Sequence, residues 1–119
     1  FYLLCRDGAS QAENFIRQVE VRAGTLPPAV DLEHAHNCRA RGTRAETLAD
    51  LRAFLAALED EYRAVPVIYT TPAFHSEWLA GEGFEAHPLW IRSLDGPPHI
   101  PYAIWQYSMK GTAAGVTGK

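Results

Sequence analysis

The chain has 119 residues, 47% of them apolar and 21% charged, which suffices for one domain with a core. Its net charge of −3 leaves no global basic field to hold nucleic acid or an anionic membrane. It has no run of about 18 apolar residues to span a bilayer, and no basic start followed by an apolar stretch to mark a leader.

Phe1-Tyr2-Leu3-Leu4 reads as the middle of a strand, so the sequence is expected to begin within a longer protein. Ser10-Gln11-Ala12-Glu13 has capping-box spacing. Ala12, Phe15, Ile16 and Val19 then recur at helical intervals, and Gly24 closes that segment. From Pro28 to Glu33, small or charged residues alternate with aliphatic ones, the period of a strand. A second capping box, Thr43-Arg44-Ala45-Glu46, opens a helix with Leu48, Leu51, Phe54, Leu55, Leu58 and Tyr62 on one stripe.

Val65 through Thr70 is a β-branched run, another strand. Thr71 followed by Pro72 fits an N-cap with proline at the first helical position, and Phe74, Trp78 and Leu79 mark a short helix ending near Gly81. Pro88 to Arg92 and Tyr102 to Tyr107 are two more strands, separated by the loop Asp95-Gly96-Pro97-Pro98-His99. The order β-α-β-α-β-α-β-β predicts an α/β fold, a parallel sheet with helices packed outside it. An open sheet and part of a barrel both fit. The barrel is favoured because the acids fall at the C-terminal end of their strand, where barrel enzymes build their sites.

Cys5 and Cys38 are too few and too far apart for a zinc ribbon or a redox pair. Two readings stand: small buried hydrophobes, or one disulfide joining the ends of neighbouring strands, which would imply an oxidising compartment.

The chemistry-bearing segment is Asp31-Leu32-Glu33. Alternation puts Ala29, Asp31 and Glu33 on one face of the strand and Val30 and Leu32 on the other. The two acidic β-carbons should lie roughly 6.5 to 7 Å apart, two residues of strand rise. Carboxylates so close repel, and one should hold its proton more tightly, leaving an acid and a base at neutral pH. Glu33 reaches further and lies nearer the strand end, so it is the expected proton donor. The motif alone also fits acids that cap a helix or face water. His34 and His36 share a parity and, with Asp31, would form a metal-ligand set; solvated loop histidines are the simpler reading.

Five segments in order resemble the family 25 glycoside hydrolases, the Chalaropsis-type muramidases. They are Gln11-Ala12-Glu13-Asn14-Phe15, Leu26 through Glu33, Pro66-Val67-Ile68-Tyr69-Thr70, Pro88-Leu89-Trp90-Ile91 and Ile104-Trp105-Gln106-Tyr107-Ser108. The resemblance implies a partial TIM-like (β/α) barrel, with residues 1–119 as a single, incomplete catalytic domain. It implies a lysozyme that cleaves the β-1,4 bond between N-acetylmuramic acid and N-acetylglucosamine in bacterial peptidoglycan. It also implies Glu33 as general acid, and Asp31 as the carboxylate supporting the substrate's 2-acetamido group. Neither a metal nor an organic cofactor is implied. The substrate implies secretion or delivery to the cell wall or periplasm.

The family's first-strand aspartate has no counterpart in this chain, and the closing valine-aspartate-x-asparagine segment is not reached. Missing segments or a partner chain are therefore expected to complete the barrel, whose sheet edges would otherwise stay open.

Tyr69, Trp90, Trp105 and Gln106 are the expected sugar-binding residues, because aromatic faces stack on sugars and an amide hydrogen-bonds their hydroxyls. For each ring the competing reading is core packing, which is the expectation for Phe74 and Trp78; for Gln106 it is a hydrogen bond that satisfies a buried backbone group. His75, His87 and His99 are expected at the surface. The alternative function is a non-catalytic peptidoglycan-binding fragment or remnant; a deacetylase-like metal enzyme is a third.

Overall fold

The computed structural model describes residues 7–20, 22, 24–34 and 43–117. The first expected strand, both cysteines and His36 lie outside the described residues.

Helix α1 spans Gly8–Gln18. It starts earlier than the Ser10 box predicts, because the Asp7 carboxylate caps it by accepting from the Ala9 and Ser10 backbone N–H groups. The Ser10 hydroxyl also donates to Asp7, at 2.7 Å. These bonds hold the exposed Asp7 carboxyl below its ordinary pKa. Helix α2, Arg44–Tyr62, carries the expected capping box in full: Glu46 N–H donates to Thr43 Oγ1 at 3.2 Å, and Thr43 N–H to Glu46 Oε2 at 2.7 Å. It ends at Arg63, a left-handed residue with φ of 52°.

The four described strands are β1 (Ala29–Leu32), β2 (Val67–Thr70), β3 (Leu89–Arg92) and β4 (Ile104–Gln106), all parallel and in the order β1-β2-β3-β4. Each of the first three begins just after a proline, one residue or more inside the predicted run. Proline donates nothing to a ladder but its carbonyl accepts, as Pro28 O does from Val67 N–H (2.8 Å) and Pro88 O from Ile68 N–H (2.9 Å). The Thr71 cap and Pro72 open α3, Pro72–Phe74, which widens into a π-helical turn over His75–Leu79.

Spatial order matches chain order, without the reversal that splits a doubly wound sheet. One core joins Val30, Leu32 and Ile68 on one sheet face to Ala12 of α1 and Leu48, Leu51, Phe54, Leu55 and Leu58 of α2. Phe74 and Trp78 pack half-buried against it, as expected. Such a singly wound β/α arrangement, with its helices on one side, is the layering of a partial barrel.

No helix connects β3 to β4. Over that part of the sheet Trp105 lies against Tyr102 and Tyr107, with ring centroids 6.4 and 5.7 Å apart.

Candidate active site

The register decides which side chains share the face opposite the helices. Asp31 pairs with Tyr69, and Tyr69 with Trp90, so three of the expected site residues form one row across β1, β2 and β3. Two residues further along lie Glu33, just past β1, and Arg92 of β3, which pairs with Gln106 of β4. Side chains alternate, so Glu33, Arg92 and Gln106 form a second row at the C-terminal ends of the strands.

Trp105 is not in either row. It pairs with Ile91, and so stands on the helix side with Thr70 and Leu32, its indole N–H donating to Ser93 O at 2.9 Å. On that face it is half-buried beside the exposed Tyr102 and Tyr107, away from the row of Asp31, Tyr69 and Trp90.

The rows are linked. Arg92 Nη2 donates to Glu33 Oε2 at 3.0 Å, with the Glu33 side chain 13% exposed and that of Arg92 31%. The Tyr69 hydroxyl donates to Gln106 Oε1 at 3.0 Å, and the Tyr69 ring meets Trp90 edge-on at 5.2 Å. Burial, then the Glu33 charge, raises the Tyr69 pKa. Burial opposes the Arg92 charge, but the bond to Glu33 and the Glu33 charge outweigh it, so its net shift is upward.

Two buried polar atoms on this face meet no hydrogen-bond partner among the described residues: Asp31 Oδ1 and Trp90 Nε1. The Thr70 hydroxyl is also open, on the helix face, but Asp31 and Trp90 share the face of the carboxylates, where a buried acceptor and a buried donor left open point to an external partner. Asp31 is pushed up to about 6, chiefly by burial and next by the Glu33 charge, against the pull of Arg92. The carboxyl of the pair whose pKa is raised is thus Asp31, not the expected donor Glu33, and burial rather than crowding is the larger cause.

His34 is tied elsewhere: its Nε2 lies 2.7 Å from Glu77 Oε2 and its ring meets Phe74 edge-on. Of the other histidines, His87 is half-buried, with Nδ1 3.0 Å from Pro66 O, and His99 is exposed. Among the described residues no group of three or more His, Cys, Asp or Glu side chains is arranged to hold a metal ion. A cavity of about 540 Å³, lined by Leu79, Phe84, Leu89 and Tyr102 among others, opens at the start of β3, the end of the sheet away from the carboxylates.

The sequence reading passed over Arg92. Its signal was parity: it shares the phase of Trp90, on the face where Asp31 and Tyr69 stand.

A singly wound β/α sheet with paired carboxylates at the C-terminal ends of its strands is the frame of a barrel hydrolase. The sequence profile of glycosyl hydrolases family 25 matches residues 1–116, and the chain belongs to that family. Solved structures agree. The family 25 glycosyl hydrolase from Bacillus anthracis superposes with a TM-score of 0.80 at 27% identity, covering 89% of this chain and 51% of its own. The muramidase from Acremonium alcalophilum gives 0.69 at 26%, covering 86% and 55%. The lysozyme from Streptomyces coelicolor, at 23% identity, shares the fold with a TM-score of 0.73, covering 90% and 55%. The chain thus spans about half the length of each of these structures. No curated protein sequence matches it significantly.

Proposed function

We propose that this chain is the catalytic part of a peptidoglycan hydrolase, a muramidase cleaving the β-1,4 bond from N-acetylmuramic acid to N-acetylglucosamine, acting outside the cell or at the wall. Residues 1–119 would form one domain, completed by further strands. The observation that carries the reading is the unpartnered, buried Asp31 Oδ1 beside Glu33 at the C-terminal mouth of the sheet.

An acceptor in that position suits an amide N–H, and the reacting sugar carries one on its 2-acetamido group. Glu33 gives its proton to the glycosidic oxygen as the bond to C1 breaks. The acetamido oxygen, held by the N–H bond to ionised Asp31, closes on C1 from the other face. Water then reopens that ring and returns a proton to Glu33. Water, two carboxyls and the substrate's own amide balance the reaction. Tyr69 and Trp90 offer ring surface, Trp90 Nε1 an open donor, and Gln106 fixes the Tyr69 hydroxyl.

The test is clearing of a cell-wall suspension by the natural polypeptide and its Glu33→Gln variant. The variant should be slower by roughly 10²- to 10⁴-fold, the worth of a general acid. Equal clearing removes Glu33 as the acid.

One observation favours the alternative, a non-catalytic peptidoglycan-binding piece: the Glu33 carboxylate is already engaged by Arg92. Retention of muropeptides without turnover, in native and variant alike, would support it.

A further inference from the structure

Glu33 sits one residue past the last ladder position of β1, so the sheet fixes its backbone less than that of Asp31. A glutamate there has three side-chain torsions and would sample several positions above the strand ends. Only one can present its oxygen to a glycosidic bond. One restraint comes from two strands away, since β1 and β3 are not neighbours and two inter-strand spacings are about 9.6 Å.

Arg92, the last residue of β3, reaches across that gap and donates to Glu33 Oε2 at 3.0 Å. With only 31% of its side chain exposed, the arginine lies over the sheet rather than out in water. Its guanidinium also faces the Tyr69 hydroxyl, which is itself anchored to Gln106 of β4. The fork is therefore held on one side and presents a fixed donor on the other.

We propose that Arg92 is a positioning residue for the muramidase reaction: it sets the Glu33 carboxyl over the mouth of the sheet and ties it to the Tyr69–Gln106 pair. The inference rests on the proposed roles of Glu33 and Asp31. An exposed ion pair would add little, but this pair is mostly out of water and fixes a reacting group within the tolerance on which rates depend.

The described groups that face Glu33 are Asp31 on β1, Tyr69 on β2 and Arg92 on β3, with neutral Gln106 on β4. Arg92 also helps Asp31 ionise. With Asp31 needed as the anion, activity falls as the pH drops through about 6, and removing the arginine should move that acidic limb to higher pH.

The experiment compares Arg92→Gln and Arg92→Lys with the native polypeptide, each also in the Glu33→Gln background, using a soluble peptidoglycan fragment. Thermal melts check folding. Arg92→Gln should lower kcat by roughly 10- to 100-fold with KM changed less than about threefold, the scale of a misplaced catalytic group. Its acidic limb should move up. Arg92→Lys, which keeps the charge, should recover part of kcat and leave the limb in place. In the Glu33→Gln background neither change should lower the rate further.

Native kcat in Arg92→Gln overturns the proposal, as does a loss confined to KM or a Lys variant no better than Gln. A higher kcat in Arg92→Gln also overturns it, showing that the ion pair restrains the acid. Failure of the parent reading shows separately, as native turnover in the single Glu33→Gln variant, and it takes the Arg92 role down with it. The lysine variant keeps the charge, so the pH-limb arm reads out even if the glutamine variant folds poorly.

Discussion

The two faces of this sheet are made by the same four strands and have opposite economies. On the helix side, Val30 and Ile68 are fully buried, Leu32 is 6% exposed, and α1 and α2 close over them. On the other side, one residue along each strand, stand Asp31, Glu33, Tyr69, Trp90 and Arg92, half-buried, charged or aromatic, with two polar atoms left open among the described residues. The difference teaches where stability and chemistry reside. Stability comes from a face closed by apolar packing, whose one open polar atom among the described residues, Thr70 Oγ1, is fully buried; the other face holds open polar atoms beside charged and aromatic groups that a ligand would meet.

The contrast breaks most sharply at Phe54, fully buried at the centre of α2's stripe. Phe54→Ala should cost about 3–5 kcal/mol, the usual loss for a buried ring with its cavity. Chemical denaturation should show a much lower midpoint, and the proposed muramidase activity should fall only with the folded fraction. A loss of kcat in fully folded protein would mean that the two faces are coupled. Next in size is Gly8→Ala. A β-carbon there would sit 1.9 Å from Asp50 O, so α1 must move off α2. The expected destabilisation is about 1–3 kcal/mol, and an unchanged melting temperature would mean that the helix contact is looser than it stands.

The helix side was the more legible of the two. Helix α2 announced itself twice, by its capping box and by a stripe of six residues, of which all but the half-buried Tyr62 prove buried. The alternation in β1 put Asp31 and Glu33 on one face, because period two leaves no choice once the strand is recognised. Two features escaped for physical reasons. The α1 cap is Asp7, which precedes any apolar periodicity and is marked only by the side-chain bonds it makes. The face of Trp105 is set by its pairing with Ile91; β4 is three residues long, and the run Ile104-Trp105-Gln106-Tyr107 carries large apolar groups at both parities, so no pattern phases it. The Arg92–Glu33 bond joins residues 59 apart and follows from the strand order alone.

The finest test of the contrast is Asp31→Asn, which should improve the fold while damaging the reaction. The folded chain raises the Asp31 pKa from 3.8 to about 6, so it binds that proton more tightly than the unfolded chain does. Below about pH 4 both states are protonated and nothing is lost. As pH rises from about 4 to about 6 the unfolded state sheds its proton first, so stability falls, and above about 6 the penalty is complete. The site is partly open to solvent, and screening discounts the shift to about 1 kcal/mol at pH 7. Asparagine has no such titration and keeps the shape. Its melting temperature should therefore exceed the native one by a few degrees at pH 7 and converge with it near pH 4. Clearing of cell walls should drop, since a neutral amide is a poorer acceptor for the substrate's N–H. A variant no more stable at pH 7 than at pH 4, relative to native, would show that burial of this carboxylate carries no strain, and the open face would lose its claim to be held ready at the expense of the fold.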